Sequence, residues 1–159
     1  AALVSKTTPT AIVLTRQNLP QLAGSTKEAL KGGYIIKEAS KAVADMILIA
    51  SGSEVSLAID AAKELESEGI ATRVVSMPCT DVFENQSREY KEEVLPKAVR
   101  NRVAIEALSG FGWDKYTGLD GRVISMNSFG ASAPQDQLFK KFGFTKENVV
   151  ATAKEVLNQ

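Results

Sequence analysis

The chain has 159 residues, 44% of them hydrophobic and 24% charged, enough apolar mass for one compact domain with a real core and no need of a disulfide or metal staple. Nineteen basic residues balance nineteen acidic ones, and a formal net charge of zero gives no electrostatic basis for general binding to nucleic acid or an anionic membrane. There is no histidine, which excludes Ser-His-Asp and Cys-His relays, imidazole metal sites and an imidazole general base.

From the amino terminus, AALVSKTTPT lacks the basic head and long apolar run of a signal peptide. An apolar opening without methionine reads as a piece of a longer polypeptide. Residues 11–14 (AIVL) read as a short buried strand, ended by the polar cluster Thr15, Arg16, Gln17 and Asn18 and by Pro20. Residues 21–33, polar and closed by paired glycines, read as a linker. Residues 34–37 (YIIK) form a short strand, and 46–50 (MILIA) a fully buried one. Beyond SGSE, apolar residues 55, 58, 59, 62 and 65 recur at helical spacing, and Gly69 stops that helix. Residues 72–77 (TRVVSM) return as a strand, so 46–77 is a strand-helix-strand unit of the length a parallel crossover needs.

Pro78 and the lone cysteine, Cys79, follow; a single thiol excludes an internal disulfide and suits a reducing, cytoplasmic compartment. After the loop CTDVFENQ come a helix over 87–95 and a strand over 102–107 (RVAIEA). A Gly-rich loop then enters a short helix near 110–116, and a strand follows over 123–126. Two helices close the chain, 135–142 and 146–157, the latter capped by Thr145. The implied fold is α/β with three layers: a mostly parallel sheet of about five strands, one of them antiparallel, with helices on both faces. The boundaries are 1–20 as the tail of a preceding domain, 21–33 as linker and 34–159 as the main domain.

In such a sheet, ligands bind beyond the carboxyl ends of the strands. Ser51, Gly52, Ser53 and Glu54 could cradle a small regulatory anion, but the Ser51/Glu54 spacing is also that of a helix-capping box, with Ser53 as an alternative cap. Ser109-Gly110-Phe111-Gly112-Trp113 fails as a dinucleotide fingerprint because Lys115 stands where a small residue is required. Phe111, Trp113 and Tyr116 read better as packing for a domain surface or subunit contact. The loop FGASAP (129–134) is explained by close backbone packing as well as by ligand binding. Arg16, at the end of an apolar run, offers a planar fork for phosphate or carboxylate, although spacing alone makes it a surface arginine or a carboxylate's partner.

The words themselves add more. PTAIVLTRQNLP (9–20), Gly32-Gly33-Tyr34, IASGSEVSLA (49–58), VVSMP (74–78), FGASAP and FGFT (142–145) stand in the order found in transketolases, and the chain resembles the C-terminal domain of that family. The resemblance implies a thiamine diphosphate enzyme, also holding Mg2+ or Ca2+, that moves a two-carbon ketol unit between sugar phosphates of the pentose phosphate pathway. It implies that Arg16 contacts the substrate phosphate, that the cofactor is held by other domains, and that no catalytic residue lies here. It also implies a homodimer when intact, with this piece giving structural support and being inactive alone. Related thiamine enzymes, dihydroxyacetone synthase among them, and an independent interaction or regulatory anion-binding module are the alternatives.

Overall fold

The computed structural model describes residues 5–159. A five-stranded sheet has the order β1-β3-β2-β4-β5, with β1 Tyr34–Lys37, β2 Met46–Ala50, β3 Thr72–Ser76, β4 Arg102–Glu106 and β5 Arg122–Ser125. β1 runs antiparallel to β3, and the other three pairings are parallel. The helices are α1 Glu54–Ser67, α2 Thr80–Glu84, α3 Arg88–Val94, α4 Asp114–Thr117, α5 Gln135–Lys141 and α6 Lys146–Leu157.

Every residue of β2 is buried, because it is the middle strand of a sheet covered on both faces. Alternation sends Met46, Leu48 and Ala50 to one core, shared with α1 and α6, and Ile47 and Ile49 to the other. That second core holds Phe83 of α2, Val94 of α3 and Tyr116 of α4. α1 buries Val55, Ala58, Ala61, Ala62 and Leu65. It ends in a Schellman motif: Gly69 takes φ 86°, its N–H donates to Glu66 and that of Ile70 to Leu65. α6 begins as expected, with Thr145 Oγ1 accepting from Asn148 N–H at 3.2 Å.

Several expectations fail. Residues 11–14 form no strand, and Ile12, Val13 and Leu14 are exposed, because neither sheet edge pairs with them. Residues 21–33 still read as a connection, and they include a 3-10 helix, Lys27–Lys31, capped by Thr26. Gly33 follows it because a Cβ there would lie 2.6 Å from Met77 Sδ and 2.7 Å from the Phe83 ring. The loop after Cys79 holds α2, whose Phe83 seals the second core.

The antiparallel edge is tied to α1 through Glu66. Its Oε1 accepts from Thr72 N–H at 2.9 Å, Ser40 N–H at 3.0 Å and Lys37 Nζ at 3.3 Å. Burial pushes its pKa up, but the bonds from Ser40 and Thr72 and the Lys37 charge outweigh burial and hold it at about 2. A carboxylate depressed from 4.5 contributes stability above that value and loses it as the pH falls toward 2. Glu66→Gln is therefore expected to destabilise the fold at pH 7 by at most about 3 kcal/mol. In urea melts, the gap from the wild-type chain closes between about pH 4.5 and pH 2.

Candidate functional site

The parallel strands β2, β3 and β4 end at one edge of the sheet, and a cleft of about 390 Å³ opens there. It is lined by Ser51, Met77, Cys79, Glu106, Ser109 and Trp113, among others. Ser51 follows β2 directly, and Glu106 is the last residue of the neighbouring β4. In-register pairing of Ala50 with Ile105 sets them side by side, and Ser51 Oγ donates to Glu106 Oε2 at 2.8 Å. Gly52 turns the chain at φ 51°.

The capping box is not formed. Ser51 spends its hydroxyl on Glu106, and Ser53 Oγ donates to Glu54 Oε1 at 2.8 Å instead of capping α1. A carboxylate is the stronger acceptor for a hydroxyl and leaves neither serine free for the helix. Glu54 is 4% and Glu106 8% exposed. Burial raises the pKa of Glu54 and the nearby Glu106 charge adds to this, while the Ser53 bond opposes it. For the loop 51–54, two carboxyl groups and committed hydroxyls make an electrostatic setting unfavourable to a further anion.

The aromatic residues separate. Trp113 and Tyr116 belong to the second core, their rings 5.9 Å apart and near T-shaped, so they pack inward on their own sheet. Phe111 alone stands at the rim, 94% exposed. FGASAP is not closely packed at its glycine, since no atom lies within 4 Å of a Cβ built on Gly130. Arg16 lies in the exposed stretch before the sheet and does not line the cleft. Glu106 was missed by the sequence reading. Its signal is a charged residue closing an apolar strand, RVAIE.

Because Glu54 gains a proton more readily in the fold than when unfolded, folding is favoured as the pH falls through its raised pKa. Glu54→Gln keeps an acceptor for Ser53 and removes the charge. It is expected to raise the melting temperature at pH 7 by a few degrees, and the difference shrinks at acid pH. An unchanged or lowered melting temperature at pH 7 contradicts the burial argument.

Residues 32–145 match the transketolase-like TK C-terminal domain. Over 98% of its length the chain is 54% identical to transketolase 2 of Vibrio parahaemolyticus and also to the transketolase of Halalkalibacterium halodurans, spanning 24% of each. It thus covers about a quarter of these relatives. Among solved structures, transketolase from Leishmania mexicana superposes with a TM-score of 0.82 at 43% identity, covering 90% of this chain and 20% of that one. Pichia stipitis transketolase in complex with sedoheptulose-7-phosphate gives a TM-score of 0.82 at 46% identity, with the same coverage. The match over the whole sheet and the identity over nearly the whole chain show that this chain belongs to the transketolase family, as its C-terminal domain.

Proposed function

We propose that this chain serves as the C-terminal domain of a thiamine diphosphate-dependent transketolase that transfers a two-carbon ketol group between sugar phosphates in the cytoplasm, as a homodimer. The observation that carries this is 54% identity over 98% of the chain to transketolase 2 of Vibrio parahaemolyticus, of which the chain spans 24%. The Pichia stipitis enzyme, 46% identical over the shared part, was solved with a sugar phosphate. Residues 1–20 then belong to the preceding domain, 21–33 to the connection and 34–159 to this domain.

On this reading the chain itself is not expected to hold the cofactor. The chain has no histidine, and among the described residues no group of three or more carboxylate or thiol side chains could hold a metal ion. Holding thiamine diphosphate and its divalent cation falls to the rest of the enzyme, and the two-sided core here supplies support.

Arg16 is this chain's contribution to substrate binding. Its exposed guanidinium presents parallel donors to a terminal phosphate, and binding that remote group helps hold the reacting carbons in place. In the full-length enzyme, Arg16→Ala should cut kcat/KM for phosphorylated substrates by about tenfold or more while sparing unphosphorylated ones, since charge-assisted bonds are worth about 1.5–3 kcal/mol. Equal loss for both classes removes Arg16 from phosphate binding.

A second outcome concerns the chain by itself. The 159-residue polypeptide is expected to unfold cooperatively in urea, because both faces of its sheet are already covered. Supplied with thiamine diphosphate and Mg2+, it is expected to show no ketol transfer. Turnover by the purified chain would overturn its assignment as support.

A further inference from the structure

Glu106 is buried and meets no counter-charge among the described residues. Its Oε2 accepts from Ser51, and no other donor reaches the carboxylate among the described residues. None of the salt bridges they form includes Glu106 or Glu54. No sealed side-chain oxygen among them lacks a partner. The second oxygen of Glu106 is therefore open to the cleft that the residue lines.

A recessed carboxylate with one oxygen open and no cation beside it among the described residues is a ready acceptor for a positively charged donor. Glu54 on α1 is a second buried acid, and the Glu106 charge helps raise its pKa, so the neighbourhood supplies no cation of its own. The cleft walls are apolar where Met77 and Trp113 line them, and Leu108 and Phe111 stand exposed at the rim. A carboxylate in an open cleft of mixed apolar and hydroxyl-bearing lining suits a cation on a short aliphatic stem, whose methylenes can lie against Met77 and Trp113 while its head meets the charge. We propose that this cleft receives a guanidinium or primary ammonium group, with Glu106 as its counter-charge and Met77 and Trp113 flanking the stem.

The test is an amide-resolved NMR titration of the 159-residue chain with n-butylguanidinium, n-butylammonium, the neutral isostere n-butylurea and inorganic phosphate. Both cations are expected to bind saturably and to shift the Ser51, Glu106 and Ser109 amides. n-Butylurea should bind at least tenfold more weakly, and Glu106→Gln should lower cation affinity by a similar factor. If that variant fails to fold, the urea comparison decides alone. The proposal is overturned by absence of saturation up to about 50 mM cation, by equal binding of n-butylurea, or by phosphate shifting the same amides. The blocked peptide acetyl-Ala-Arg-Ala-amide separates two sources of the same chemistry. Tighter binding than n-butylguanidinium marks a side chain of another polypeptide segment, and weaker binding marks a small free cation; either supports the site.

Discussion

Burial of β2 on both faces is the constraint from which the architecture follows. A strand with no exposed residue needs a layer above and a layer below, and its neighbours β3 and β4 run parallel to it. Parallel neighbours require crossovers, which α1 and the α2–α3 segment supply. Parallel direction also brings the carboxyl ends of the three strands to one edge. The cleft containing Ser51, Met77 and Glu106 is the geometric result, with no special loop needed to make it.

Two glutamates on α1 show how surroundings decide what a carboxylate does. Glu66 receives N–H donors and a lysine at the antiparallel edge, so its charge is more stable than in water and binds the edge to the helix. Glu54 faces the opposite balance, with burial and the charge of Glu106 outweighing the Ser53 hydroxyl and a backbone N–H. The first is an interaction the fold uses. The second is an electrostatic cost carried at the strand ends, where α/β sheets bind ligands.

Features set by local chemistry were legible in the sequence. The continuous run of β2, the spacing of α1, its stop at Gly69 and the Thr145 cap each depend on residues within a turn or two. Features that depend on a distant partner were not. The serines at 51 and 53 follow a capping pattern, yet a carboxylate brought from fifty-five residues away takes the Ser51 hydroxyl. Glu106 looked like an ordinary strand residue until pairing placed it beside Ser51. Phe83 sits in a stretch whose polar neighbours suggest a loop, and only the covered sheet face explains the short helix around it.

The segment before the sheet is the inverse case, a strand sequence without a strand. Ile12, Val13 and Leu14 have the branched, apolar character of a buried strand, but a strand is stable only when another lends its amides and carbonyls. Both edges of the sheet leave it unpaired. Leu22, within the connection, is the first residue beyond it to pack against the core. Under the function proposed here, the missing partner and the phosphate for Arg16 come from the same place, the domain whose tail this segment is. Pairing the run of residues 11–14 would fix the backbone from which Arg16 projects. Its guanidinium would then meet the phosphate without first losing the freedom of an unpaired segment.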